Sequence, residues 1–544
     1  MQDHRPAMPG RARRMFAAAL AGLLAGCGSG GGASAPAPAG AAALPAADTS
    51  AVAAADPGST LQTGWQHGAF AEIFVRSYQD SDGDGIGDLR GLTSRLDYLH
   101  ELGISGIWLM PVTRSQDHDH GYAVTDYRDI ERDYGSLADF DEFVAQAHAR
   151  GIGVIVDYVV NHSAAQHALF VNAKSNPGNA YRDWYLWQAV KPTGWSIDGQ
   201  DPWRGSPGNY YFAAFSDQMP DFDLTNPAVV AWHHDNLRFW LNRGVDGFRF
   251  DAVGNLVENG PQAWENQPQN YALLRDARTM MNGYAQRFLV CEGPSDPFGY
   301  SAACGSAFAF NDNADLVAAA KGDPAAAQRV AAFPSSAPPG ISMLLSNHDS
   351  FAGQRPYDQF GGNVAPYKLA AATYLLQPGT PFIYYGEEIG MAGAATLSGD
   401  ARLRTPMSWT AGGGFTTGTP YRAAAANLAA FNVAAEQADP ASLLAFYKAM
   451  LALRRALPSI AAGSYENAAA SGSAITFQRH LGSEHTLVAI NYGTAAKVLA
   501  AGGLPANTTL ASVHPPGAAD VAVDAGGTAS ITLDAQAVRV FVVR

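Results

Sequence analysis

Four short polar clusters, set apart by long apolar stretches, carry residue types that do acid-base and nucleophilic chemistry. They are Asp157 with Asn161 and His162, Arg249 with Asp251, Glu292, and Asn347-His348-Asp349. Arg249 and Asp251 stand two residues apart in Gly247-Phe-Arg-Phe-Asp251, which reads as a buried strand, so both side chains fall on one face. A guanidinium beside a carboxylate favours the ionised form and lowers its pKa, which suits Asp251 to attack rather than to donate a proton. Glu292, if it shares a pocket with two other carboxylates, is expected to hold its proton to higher pH and serve as an acid. Taken singly, each cluster has a plain structural explanation: a salt bridge at Asp251, an ion pair at Glu292, a capping turn at Asn347-His-Asp. As an ordered set of strand ends they specify one pocket.

Only a particular framework brings residues so far apart in sequence together. Strand signals at Ala69–Val75, Gly106–Met110, Val154–Asp157, Val245–Asp251, Phe288–Glu292, Ala307–Phe310, Ser342–Asn347 and Pro381–Tyr385 alternate with helical patterns such as Leu89–Leu102 and Asp139–Arg150. Alternation of this kind means parallel strands with right-handed crossovers. Eight strands close a barrel, and the C-terminal ends of its strands form one rim. The expected fold is therefore α/β, a (β/α)8 TIM barrel over residues 64–463. A long insertion after the third strand, roughly 163–218, is dense in aromatics such as Trp184, Trp187, Trp195, Trp203, Tyr210 and Tyr211. These are expected to split between its own core and sugar-stacking positions. From 464 to 544 short strands between Gly, Pro and Ala turns indicate a C-terminal antiparallel β domain.

The bulk composition is consistent. With 544 residues, 47% hydrophobic and 15% charged, a sizeable core is assured. The formal charge of −14 argues against nucleic acid, which needs a concentrated positive surface. Three cysteines exclude a disulfide framework and offer no zinc spacing; at most Cys291 and Cys304 pair. Arg11, Arg13 and Arg14 precede the apolar run Met15–Leu24, the pattern of a secretory signal over residues 1–26. Leu24-Ala-Gly-Cys27 resembles the bacterial lipobox, which implies acylation of Cys27, and Gly28 by analogy favours the outer membrane. The Gly, Ala, Ser and Pro of 27–63 are expected to form a disordered tether. Membrane contact is expected only through the anchor, and the enzyme is expected to act as a monomer.

Asp80-Ser-Asp82-Gly-Asp84-Gly-Ile86-Gly-Asp88 places acidic oxygens at alternate positions with glycines between them, a loop suited to Ca2+. The twelfth position is Gly91 and not Glu, so the loop is not an EF-hand.

The four polar clusters resemble, in order and strand placement, the signature regions of the α-amylase family of retaining glycoside hydrolases. Gly121-Tyr122 through Asp126-Tyr127, Met219-Pro-Asp-Phe-Asp-Leu224 and Gly379-Thr-Pro-Phe-Ile-Tyr-Tyr-Gly-Glu-Glu388 support the resemblance, which spans about 64–464. It implies that Asp251 is the nucleophile, Glu292 the general acid/base and Asp349 the transition-state stabiliser. Retention requires two carboxyls about 5–5.5 Å apart. The resemblance further implies that His162 and His348 bind sugar hydroxyls, that Tyr122 stacks on the reacting ring, and that Asp80, Asp82, Asp84, Ile86 and Asp88 hold a structural Ca2+. Ala252 resembles members acting on α-1,4 links in starch, maltodextrins or maltooligosaccharides. Arg404-Thr-Pro-Met-Ser-Trp409 resembles exo-acting α-glucosidases, in which Arg404 with Asp119 would clamp a terminal glucose. An endo-acting or maltooligosaccharide-cleaving α-amylase is the leading expectation, with an exo-α-glucosidase or transglycosylase the alternative. A catalytically silent maltodextrin-binding lipoprotein would be expected to have lost a carboxylate, and all three are present.

Overall fold

Runs of apolar residues without polar alternation form strands only where both faces are covered. Ala69–Ile73 (β1), Ile104–Leu109 (β2) and Gly153–Tyr158 (β3) are such runs. In the computed structural model, which describes residues 43–544, they pair in parallel. Gly247–Phe250 (β4) and Phe288–Cys291 (β5) extend the sheet on one side. On the other side lie Thr380–Tyr384 (β8) and then Ser342–Met343 (β7). The gap is closed by Ala307 and Phe308 (β6), through single parallel bridges to Cys291 and Ser342. The eight strands thus form a closed barrel in chain order, with the sixth reduced to bridges.

Aromatic rings fill the barrel: Phe70 stacks on Phe382 with centroids 4.8 Å apart, beside Trp108 and Phe308. Gly106 makes room for them, since a Cβ there would stand 2.4 Å from the Phe70 ring. The expected helix Leu89–Leu102 is two helices, Leu89–Ser94 and Leu96–Leu102, broken at Arg95. The Arg95 side chain turns to Gln79 and lies 4.0 Å over the Trp409 ring, a tertiary contact that overrides the helical pattern. The helix expected from Asp139 begins earlier, at Leu137, because Ser136 and Asp139 form a capping box.

The insertion forms helix Ala168–Ser175 and a sheet of Trp187–Gln188, Trp203–Ser206 and Asn209–Phe212. Trp203, Phe212 and Ile197 make its own core, with Trp195 and Tyr210 packed against it, so these rings are structural. The C-terminal domain has a six-stranded antiparallel sheet, with Ala474–Leu481 and Glu484–Asn491 near its centre, and a two-stranded one. Cys291 and Cys304 form a disulfide.

The expected tether is corrected at its C-terminal part. Residues 44–63 run along the barrel without helix or strand apart from isolated turns, held by hydrogen bonds from the Val52 amide to Asp235, the Ala55 amide to Asn242, and the Trp232 indole to the Asp48 carbonyl. Composition misled because the contacts come mainly from the barrel's side chains and not from the segment's own. The expected signal and Cys27 lie outside the described residues. No helix among the described residues is long and apolar enough to cross a membrane.

Candidate active site

Asp251 leaves β4 with its amide donating to the Tyr158 carbonyl of β3, at 3.2 Å. Ala252 then takes a left-handed backbone conformation, φ 48°, and its amide donates to Glu292 Oε2 at 2.9 Å. Non-glycine residues enter that region at a cost, and here the turn aims a backbone donor across to the carboxyl following β5. Beneath both carboxyls lies Arg249, fully buried and 5.1 Å over the Trp108 ring. Its Nη1 donates to Asp157 (2.8 Å) and Asp251 (2.7 Å), while Nη2 stands 2.7 Å from Glu292 Oε2. One planar guanidinium therefore carries both carboxyls on adjacent nitrogens, and both open into the same cleft.

His348 sits between two carboxylates. Its Nδ1 is 2.6 Å from Glu72 Oε1, and its Nε2 is 3.0 Å from Asp349 Oδ2 and 2.6 Å from the Tyr122 hydroxyl. That hydroxyl donates to Asp157 at 2.9 Å. Burial alone would lower the His348 pKa, but Asp349 and Glu72 override it and push it up to about 10. Burial alone would raise Asp349, yet the His348 imidazolium and Arg404, whose Nη2 lies 2.8 Å from Oδ1, hold this carboxyl well below the usual range.

Asp251 departs from expectation. Burial, followed by repulsion from Glu292, Asp157 and Asp349, pushes its pKa well above the usual carboxylate range against the pull of Arg249. Adjacency in sequence assigns Arg249 wholly to Asp251, whereas the structure divides it among three carboxyls. Burial also raises Glu72 and Asp157. Six carboxyls (Glu72, Asp157, Asp251, Glu292, Asp349, Asp400) face three cations (Arg249, Arg404, the His348 imidazolium), so carboxyls outnumber cations two to one.

The cleft, about 370 Å³, is lined by all three acids together with Tyr122, His162 and Arg404. Arg249 and His348 are not on its surface but directly below. Both ring nitrogens of His348 are engaged with protein groups, so its place is to hold Asp349 and not a sugar hydroxyl. His162 lines the cleft: its Nε2 has no partner, and burial lowers its pKa to about 4, leaving a neutral ring. Asp119 lies outside the lining, and its carboxylate is held at 2.6 Å by Arg422, so the expected clamp with Arg404 is not formed. Arg422 stands 303 residues further along, with no local signal to mark it. Sequence reasoning also missed Glu72, Asp400, Phe215 and Phe351. Glu72 is on β1 and Phe351 two residues past Asp349, so position alone could have flagged both.

In the acidic loop, Asp80, Asp82 and Asp88 bring carboxylate oxygens within 4.8 Å of one another, and Asp84 is not in that group. Asp80 also closes the loop by accepting the amides of Asp82, Gly83 and Gly85 and the Thr416 hydroxyl. Asp88 caps helix Leu89–Ser94 through the Gly91 amide.

The family model for the alpha-amylase catalytic domain matches residues 72–463. Alpha-amylase 3 of Dictyoglomus thermophilum is 33% identical over 413 residues, 74% of this chain and 80% of that protein. An oligo-1,6-glucosidase of Parageobacillus thermoglucosidasius is 31% identical over 521 residues, 80% of this chain and 91% of that protein. The crystal structure of the alpha-amylase from H. orenii superposes with a TM-score of 0.75 at 30% identity, covering 88% of this chain and 100% of that one.

Proposed function

The chain belongs to the alpha-amylase family of glycoside hydrolases, and from that premise we propose that it cleaves α-1,4-glucosidic bonds of starch, maltodextrins or maltooligosaccharides with retention of configuration. The observation that carries this reading is the sharing of Arg249 by Asp251 and Glu292 at the floor of one cleft. A fork of that size suits the short carboxyl separation of retaining enzymes.

In this mechanism Glu292 protonates the glycosidic oxygen as Asp251 attacks the anomeric carbon, giving a covalent glycosyl-enzyme and a free leaving alcohol. Water, deprotonated by Glu292, then releases the sugar. The two carboxyls work with one proton between them: a proton on Glu292 removes the neighbouring charge that raises Asp251, and so frees Asp251 to ionise. Asp349, kept anionic by His348 and Arg404, stabilises the oxocarbenium charge. Tyr122 supplies the platform under the sugar ring, and His162 Nε2 bonds one of its hydroxyls.

A second reading, an exo-acting α-glucosidase or transglycosylase, is favoured by Arg404 and Asp400 on the wall of so small a cleft. The linkage is open as well, since one relative is named for α-1,6 bonds. Digesting end-labelled maltoheptaose separates these readings. Early release of mixed short products supports endo action, glucose alone supports exo action, and longer products show transfer. Inversion at the anomeric carbon, seen by NMR, would remove the mechanism altogether, and no cleavage at all would leave a binding protein.

For the acidic loop, Asp80, Asp82 and Asp88 form an oxygen-only set of the kind that suits Ca2+, which would brace the loop after β1. Calorimetric Ca2+ binding lost in Asp82→Ala is the expected result. Cys27 is proposed as a lipid anchor to the outer membrane. Cys27→Ser should move the protein to the soluble fraction.

A further inference from the structure

A second cavity, of about 500 Å³, lies at the opposite end of the barrel from the cleft, between the N-terminal ends of the strands and the C-terminal domain. Its wall includes Arg278, Arg287 and Arg479 and no aspartate or glutamate, in a chain whose formal charge is −14. Cationic groups around one space repel each other unless something negative compensates them.

Arg479 is compensated in part, donating to the carbonyls of Ser464 (2.8 Å), Leu376 (3.1 Å) and Gly463 (2.9 Å). Arg287 is compensated by Asp56 at 3.1 Å and Asp246 at 3.6 Å and donates to the Gly58 and Ala285 carbonyls, but its Nε is buried without a partner. The Arg278 side chain makes no hydrogen bond or ion pair with any described residue. Its guanidinium lies flat on Gly305, where a Cβ would stand 3.0 Å from Cζ, so a glycine makes the space in which this cation rests against the wall.

We propose that this cavity binds a small oxyanion of the phosphate or carboxylate class, held by Arg278 with the free Nε of Arg287 and the spare donors of Arg479. Planar guanidinium forks match the paired oxygens of such anions. A bound anion would relieve the repulsion and tie the barrel floor to the β domain.

The test is titration calorimetry of the whole protein with inorganic phosphate and, separately, with citrate, against sodium chloride at equal ionic strength, together with thermal unfolding. The expected result is saturable heat with one or both oxyanions and a Tm that rises about 1 °C for each tenfold increase above Kd. The anion giving the tighter isotherm identifies the class. Arg278→Ala, which removes a half-exposed side chain without partners, should fold normally and lose both signals. Absence of saturable heat with either oxyanion overturns the proposal. So does an equal Tm rise in wild type and Arg278→Ala, which would assign the effect to general exclusion of kosmotropic salts.

Discussion

Two fully buried arginines stand at opposite ends of the same barrel. Arg249, at the rim, is surrounded by Asp157, Asp251 and Glu292, and despite burial its pKa is raised well above the ordinary value by those carboxylates. Arg454, at the floor, faces carbonyls only: those of His67, Leu375, Gln377, Gly379 and Ala461. Burial and the neighbouring Arg479 push its pKa down to about 9. The same side chain at the same depth thus does two jobs. Carboxylate partners titrate, so the rim becomes a unit whose proton count can change during a reaction. Carbonyls do not, so the floor becomes a clamp joining the start of β1 to the loop before β8 and the helix that leads to the β domain.

The largest expected effect lies at the rim. Asp251→Asn or Glu292→Gln should lower kcat/KM on maltooligosaccharides by about a thousandfold or more, with unfolding midpoints close to wild type. Full hydrolysis by a folded Glu292→Gln protein would end the assignment of roles. Arg249→Met and Arg454→Met sharpen the contrast. Each should destabilise by about 3–5 kcal/mol, the first by stranding buried carboxylates and the second by orphaning buried carbonyls. Only the rim variant should lose activity per folded molecule; a shifted pH-rate profile in Arg454→Met would break the distinction.

Next comes pH. The pKa of His348 is raised in the folded state to about 10, so its stabilising contribution is complete below about 6.5 and lost as pH climbs toward 10. Asp349 is depressed, so its contribution is present above about 3.9 and lost on acidification. The expected Tm therefore falls on both sides of this window, and His348→Gln should flatten the alkaline limb. The smallest effect belongs to Phe351, exposed at the mouth of the cleft: Phe351→Ala should raise KM for longer oligosaccharides about three- to tenfold and leave kcat nearly unchanged. A change confined to kcat would place this ring against the reacting sugar instead.

Much of this was legible in advance because strand signals are local. The apolar runs at 69–75 and 154–157, and the carboxyl at the end of each reactive strand, needed no tertiary knowledge, since a parallel barrel collects strand ends by its geometry. The sixth strand was the faintest signal, and in the structure it is only the bridges at Ala307 and Phe308. Partner choice was not legible. That Arg422 and not Arg404 takes Asp119, and that Glu72 takes His348, depends on loops whose meeting no local pattern encodes.

The sequence by itself determined which groups could react and on which rim they would gather, because residue type and strand period act over a few neighbours. Only the tertiary structure decided how charge is distributed among them. One guanidinium is shared by three carboxyls, a histidine is turned inward to serve Asp349, and Asp251 is pushed up where adjacency alone predicted down. Coulomb energies depend on every charge within several ångströms and on the water excluded around them, and those distances exist only once the chain has closed on itself.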